Sequence, residues 1–155
     1  MEVLDQIRRR AAERPRRIVF PEAEEARTLH AVVRLAAEKI AMPVLLGDPQ
    51  RIHRVADREK VNLSGVEIVD PATSGQLRDL SRLYYERVRA RGITEDEAGR
   101  QVLDPVYFGA LLVASGVVDG SVSGAVHTTA ETVRAALRCI GLREGISIVS
   151  SFFLM

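Results

Sequence analysis

The stretch "VVDGSVSGAVHTTAETVRAALRCIG", residues 117–141, reads as a strand, a turn of small residues and a helix. Its apolar beginning predicts a strand over 117–124. Thr128 and Glu131 stand in capping-box spacing, which places the helix start at Thr128 or Thr129. In an open α/β sheet such a turn lies at the carboxyl end of a strand, where ligands bind. This unit therefore predicts both a fold class and the position of a site.

The same alternation of strands and helices runs through the preceding residues. We predict helices over 2–13, 24–40, 49–59 and 73–91, and strands over 18–20, 42–46 and 65–71. Two further helices have marked starts, with Thr94 capping "TEDEA" and Asp104 capping "DPVYFGALLVASG". The alternation favours an α/β fold, with a doubly wound, mostly parallel sheet in a three-layer αβα arrangement.

Composition indicates a cytoplasmic globular protein. The chain has 155 residues, of which 46% are hydrophobic and 28% charged, with a net charge of +1. That balance argues against nucleic acid or an anionic membrane as a partner. The run "RRR" at 8–10 interleaves with acidic residues and reads as a solvated helix face. The single cysteine, Cys139, excludes an internal disulfide framework and suits a reducing compartment.

The end of the sequence, "ISIVSSFFLM" at 146–155, predicts an apolar strand with nothing after it. An exposed strand of this kind invites aggregation unless another part of the protein covers it. We expect residues 1–145 to form an N-terminal α/β domain and residues 146–155 to begin a second domain. The sheet would then be incomplete in this chain. The alternative is a C-terminal strand buried at the centre of the sheet.

The turn at 123–134 has the chemistry of a phosphate site. Ser123 and Gly124 allow a ligand to approach the backbone, and free amides at a helix N-terminus attract anions. The hydroxyls that can add donors belong to Ser123, Thr128 and Thr129. Arg134 follows in the second helical turn, where it either meets a ligand or forms a surface ion pair with Glu131.

Other candidate residues have a structural interpretation beside the functional one. His127 is either a catalytic base or a turn histidine that bonds to the backbone. The histidines lack metal-ligand spacing with Cys139, so no metal site is predicted. The arginines of the helix end before Gly92 can bind the phosphates of a nucleotide-like ligand or complement the helix dipole; they are Arg82, Arg87, Arg89 and Arg91.

Several motifs, taken in order, resemble the phosphate acetyltransferase (phosphotransacetylase) and phosphate butyryltransferase family. They are "IVFPEAEEARTLHA", "PVLLGDP", "GVEIVDPATS", "GITEDEA", "DPVYFGALLV", "DGSVSGAVHTTAETVR" and "GISIVSSFF". The resemblance covers nearly everything from residue 16 onward. It implies reversible transfer of an acetyl group between coenzyme A and inorganic phosphate. It also implies small-molecule substrates (acetyl-CoA, phosphate and acetyl phosphate), no permanently bound cofactor, and a homodimer at full length.

The resemblance assigns roles to only some residues of this chain. Arg134 corresponds to the arginine of the family segment "DTLRPA", which is implicated in binding substrate or coenzyme A, and Ala135 replaces the following proline. A second family arginine falls at Val88, with Arg87 and Arg89 on either side as possible replacements. The resemblance implies that the serine, arginine and aspartate credited with the acyl-transfer chemistry belong to a part of the family sequence that would follow residue 155. His127 is then the one candidate base in the chain.

Three hypotheses follow from this comparison. The chain is the N-terminal part of a phosphate acetyltransferase without turnover of its own, or a non-catalytic regulatory domain like those fused to malic enzymes. In the third, it is a binding or interaction module that pairs through 146–155. Two observations weigh against the regulatory domain. No dehydrogenase sequence stands before Met1, and the motif "SGAVHTT" closely resembles that of the active enzymes of the family.

Overall fold

The structure is a computed structural model that describes residues 3–150. Within that range the chain forms seven α-helices, four strands and a short 3₁₀ helix at Arg89–Arg91. The helices are α1 (Val3–Glu13), α2 (Ala26–Ala37), α3 (Pro49–Glu59), α4 (Leu77–Val88), α5 (Glu95–Val102), α6 (Pro105–Ala114) and α7 (Thr129–Cys139). The strands are β1 (Arg16–Phe20), β2 (Ala41–Leu46), β3 (Glu67–Val69) and β4 (Gly120–Ser121).

The four strands form one parallel sheet in the order β3-β2-β1-β4. Successive residues of the central strands alternate between its faces, so Val19 and Phe20 enter two different hydrophobic clusters. One face packs on α2 and α3 through residues such as Leu29 and Ile52. The other packs on α4 to α7. Helices on both faces confirm the doubly wound α/β prediction.

The short strand β4 is attached to β1 by its first flanking residue, Asp119. The Asp119 carboxylate accepts a hydrogen bond from the Arg17 backbone N–H at 2.8 Å and one from the Arg16 guanidinium at 2.9 Å. The Asp119 N–H donates to the Arg17 carbonyl oxygen at 2.8 Å. These bonds join the amino ends of β1 and β4, and because the two strands are parallel, the segments that leave their carboxyl ends also lie side by side.

The N-caps predicted for three helices are confirmed, while several predicted ranges differ from the structure. Thr94, Asp104 and Thr128 are the N-caps of α5, α6 and α7. The helix predicted over 73–91 is shorter, because 73–76 form turns and the last residues tighten into the 3₁₀ helix. The strand predicted over 117–124 pairs for two residues only. Residues 146–150 form no strand, and 151–155 lie outside the described residues.

Candidate functional site

The turn between β4 and α7 is built around the carboxylate of Glu22, two residues beyond β1. One carboxylate oxygen accepts the backbone N–H groups of Gly124 and Ala125 at 2.8 and 2.7 Å. The other accepts those of Val126 and His127 at 2.8 and 2.7 Å. The same oxygen lies 2.8 Å from Nδ1 of the His127 ring. Five donors therefore converge on one side chain, which fixes the conformation of the turn.

Only 3% of the Glu22 side chain is exposed, and its carboxylate is nevertheless ionised. Burial by itself raises the pKa of Glu22. The hydrogen bonds from the backbone of His127, Val126 and Ala125, joined by the His127 ring, outweigh burial and lower the pKa to about 2. A buried negative charge is thus compensated mainly by backbone dipoles.

Arg27 supports the same turn from the start of α2. Its guanidinium donates to the Ala125 carbonyl oxygen at 2.8 Å and to the Glu25 carboxylate at 2.6 Å. Glu22 and Arg27 therefore hold the N–H and C=O sides of the turn. Sequence reasoning missed both residues, because their partners lie about a hundred positions away.

Helix α7 begins with the capping box that its sequence predicts. The Glu131 N–H donates to the Thr128 hydroxyl oxygen at 3.3 Å, and the Thr128 N–H donates to the Glu131 carboxylate at 2.7 Å. The Thr128 hydroxyl donates to that carboxylate at 2.8 Å. The hydrogen bonds from Thr128 lower the pKa of Glu131.

The capping box gives a prediction for the stability of the turn. Thr128→Ala is expected to lower the free energy of unfolding by about 1 kcal/mol, because the N–H of the third helical residue loses its acceptor. Urea unfolding of the purified chain measures the change. Thr129→Ala is the matched control, since Thr129 is exposed and makes no side-chain hydrogen bond within residues 3–150. Equal losses in the two variants would contradict the capping role.

Many of the amides predicted to be free for an anion already have an acceptor in this turn. The N–H groups from Gly124 to His127 donate to Glu22, and that of Thr128 donates to Glu131. The Thr128 hydroxyl is engaged as well. At the helix start, the N–H groups of Thr129 and Ala130 have no acceptor within the described residues. These two N–H groups could donate to an anion, in addition to charged side chains nearby.

Such side chains surround a cavity of about 390 Å³ at the N-termini of α6 and α7. Its lining residues are Gln101, Asp104, Val106, Tyr107, His127, Glu131, Arg134 and Arg138. Arg134 is exposed and makes no ion-pair contact of 4 Å or less with Glu131 within the described part of the chain, although its charge contributes to lowering the pKa of Glu131. The two acidic residues that line the cavity both cap helices. Asp104 accepts a 2.8 Å hydrogen bond from the Val106 N–H, and Glu131 accepts one from the Thr128 N–H. The guanidinium groups of Arg134 and Arg138 therefore share the cavity with the negative charges of Asp104 and Glu131.

A second cavity of about 620 Å³ adjoins the first, since the two share Gln101, Asp104 and Arg138. Arg100 and the buried Tyr84 also line it. The Tyr84 hydroxyl lies close to the Arg138 guanidinium, which partly offsets the rise that burial causes in the pKa of Tyr84. The two cavities together offer a continuous polar surface with three arginines.

The remaining predicted residues lie elsewhere. Ser123 lines an apolar cavity on the opposite side of α7, together with Val106 and Ala110. Arg87 donates to the Ile140 carbonyl oxygen at 3.3 Å, and Arg89 pairs with Glu86 at 3.2 Å. Neither arginine lines the cavity of Arg134, and Val88 between them is buried in the core. Arg138, one turn beyond Arg134, is the cavity arginine that sequence reasoning missed; its i,i+4 spacing was the available signal.

Three further observations concern the described residues. Cys139 is fully buried in the core, and burial raises the pKa of its thiol to about 12. Among residues 3–150, no three His, Cys, Asp or Glu side chains cluster as metal ligands. No helix in that range combines the length and apolar character required to cross a bilayer.

The fold and the cavity define a class, the open-sheet α/β proteins whose ligands bind at the carboxyl ends of the strands. The sequence matches the family described as phosphate acetyl/butaryl transferase over residues 2–155. The chain belongs to this family.

Individual relatives agree with the family match. The chain is 38% identical to the phosphate acetyltransferase of Bacillus subtilis, over 99% of this chain and 47% of that protein. It is 40% identical to the phosphate acetyltransferase of Helicobacter pylori, over 96% of this chain and 29% of that protein. Among solved structures, the EutD phosphotransacetylase from Staphylococcus aureus superposes with a TM-score of 0.85 at 34% identity, over 94% of this chain and 44% of that chain. A phosphotransacetylase from Streptococcus pyogenes superposes with a TM-score of 0.88 at 30% identity, over 96% of this chain and 46% of that chain. The chain thus spans less than half the length of these relatives.

Proposed function

We propose that this chain supplies the phosphate- and coenzyme A-binding part of an acyltransferase that moves an acetyl group between coenzyme A and inorganic phosphate. The observation that carries the proposal is the cavity that places Arg134 beside His127 and Arg138 in a chain of the phosphate acetyl/butaryl transferase family. Guanidinium groups bind phosphate oxygens through paired hydrogen bonds. The family relatives are named for this reaction.

The two adjoining cavities suggest how the substrates divide. The smaller one, with Arg134 and Arg138, suits an inorganic phosphate or the phosphate group of acetyl phosphate. The larger one, reached through Arg138 and lined by Arg100, has room for part of coenzyme A. In this arrangement the acyl carbon would lie where the cavities meet. Coenzyme A acts as a substrate and not as a resident cofactor.

An acetyl transfer assay on the purified chain tests the proposal. The reaction contains acetyl phosphate and coenzyme A, and thioester formation is followed against a protein-free reaction, with calorimetric titrations of each ligand alongside. Turnover above the uncatalysed rate would show that the chain itself performs the reaction. Binding without turnover would limit the chain to the binding role. A folded chain that neither binds nor turns over these compounds would overturn the proposal.

Arg134 gives a direct prediction for phosphate binding. Arg134→Ala is expected to weaken the affinity for inorganic phosphate about tenfold or more, since a charge-assisted hydrogen bond contributes about 1.5–3 kcal/mol. Arg134→Lys keeps the charge without the paired donors, so its affinity for phosphate should lie between those of the wild type and Arg134→Ala. Calorimetry at constant ionic strength measures all three proteins. Arg78→Ala, on an arginine whose side chain is 94% exposed, is the control, and an Arg134→Ala protein that binds as the control does would remove Arg134 from the site.

A further inference from the structure

The contact between Glu22 and His127 determines which ring nitrogen of the histidine meets a ligand. The His127 Nδ1 lies 2.8 Å from a carboxylate oxygen of Glu22, in a side chain that is 3% exposed. An ionised carboxylate only accepts hydrogen bonds, so Nδ1 must carry the hydrogen. Nε2 is then the second ring nitrogen, and it has no hydrogen-bond partner within residues 3–150. The ring is about one-third exposed and lines the cavity of Arg134.

We infer that Glu22 is a positioning residue that holds His127 with Nε2 directed to the phosphate group bound beside Arg134. The inference rests on the proposed function for the identity of the ligand. A neutral ring presents the Nε2 lone pair to a protonated phosphate oxygen. A protonated ring presents a hydrogen to an unprotonated oxygen. In both states Nδ1 remains on Glu22, so Nε2 makes the contact.

The surrounding bonds explain why this orientation is rigid. The backbone N–H of His127 binds the same Glu22 oxygen as the ring, at 2.7 Å, so the residue is held at two points. Glu22 is itself fixed by three further N–H groups of the turn. A ring held in this way binds its ligand without losing rotamer freedom at the moment of binding.

Nitrogen NMR of the imidazole rings tests the inference without any need for turnover. The chain has three histidines, and the exposed His30 and His53 serve as references within the same spectrum. We expect His127 to show a protonated Nδ1 and, when neutral, an unprotonated Nε2. Inorganic phosphate should shift the Nε2 signal of His127 more than its Nδ1 signal and leave the reference histidines in place. Glu22→Gln should abolish the fixed tautomer, while Glu24→Gln, with an exposed side chain, should preserve it.

A second variant keeps the test open if Glu22→Gln fails to fold. His127→Asn retains a side-chain donor for Glu22 but has no group at the Nε2 position. We expect it to unfold at nearly the wild-type urea concentration and to bind phosphate about tenfold more weakly, the loss of one hydrogen bond to an anion. His30→Asn should bind as the wild type does. A purely structural role for His127 predicts unchanged affinity in His127→Asn.

The outcomes separate this inference from the proposed function. A neutral His127 protonated at Nε2 would overturn the inference whatever the ligand. Phosphate binding that depends on Arg134 but leaves the His127 Nε2 signal unmoved would overturn the inference and support the proposed function. Absence of phosphate binding in a folded chain would overturn the phosphate contact together with the proposed function.

Discussion

Glu22→Gln is expected to lower the free energy of unfolding by about 3 kcal/mol. The Glu22 carboxylate accepts four backbone N–H groups, two on each oxygen, and the ring of His127. A glutamine has one acceptor oxygen and one amide group that donates. Whichever way the amide turns, two backbone N–H groups face another donor. These N–H groups are partly buried, and a buried N–H left without an acceptor costs about 1–3 kcal/mol, so we expect values toward the lower end for each.

Urea unfolding with linear extrapolation measures this loss. The matched control is Glu24→Gln, because Glu24 is exposed and its contact is a 3.9 Å approach to Arg51. An exposed pair of this kind contributes little, so the control should stay within about 0.5 kcal/mol of the wild type. Equal losses in the two variants would show that the Glu22 contacts do not stabilise the fold.

Acidification is expected to remove the same contribution gradually. The pKa of Glu22 is lowered from 4.5 to about 2, so the folded state binds the proton more weakly than the unfolded state. The stabilisation is therefore complete above about pH 5 and is lost as the pH falls toward 2. Its size is about 3 kcal/mol, since each pKa unit corresponds to about 1.4 kcal/mol.

Other acids titrate in the same range, so the prediction concerns a difference between two proteins. Hydrogen bonds lower the pKa of Glu97, Asp119 and Glu131 as well. The ionisable groups facing Glu22 are His127 from the turn, and Glu25 and Arg27 from the start of α2. The wild type and Glu22→Gln should therefore differ most near neutral pH and converge toward pH 2. Stability curves that stay parallel across this range would contradict the assignment.

The local features of the fold were predictable from sequence because they depend on neighbours. The capping boxes at Thr94 and Thr128 and the Asp104 cap each involve residues two or three positions apart, and all three form as predicted. The alternation of strands and helices likewise gave the doubly wound sheet. The boundaries were less secure where tertiary contacts decide them, as in the two-residue pairing of β4.

The site could be predicted only in part, for a physical reason. The position of the turn and of Arg134 follows from the pattern of strand, turn and helix. The hydrogen bonds from the turn's amides to Glu22 do not follow from that pattern, because they join residues that are 102 to 105 positions apart. Charge and alignment point to Arg87 and Arg89, but the direction of each side chain decides its surroundings, and that direction depends on how the end of α4 and the following 3₁₀ helix pack.

The long separation between Glu22 and its turn also has a consequence for how the chain folds. Strands β1 and β2 pair across a short connection, whereas β1 meets β4 only after about a hundred intervening residues have been enclosed. Closing a larger loop costs more chain entropy, and contacts of high sequence separation slow folding. During synthesis, the turn between β4 and α7 cannot take its folded shape before the ribosome has released His127. A nascent chain therefore carries Glu22 through about a hundred further residues of synthesis without the amides that later surround its charge.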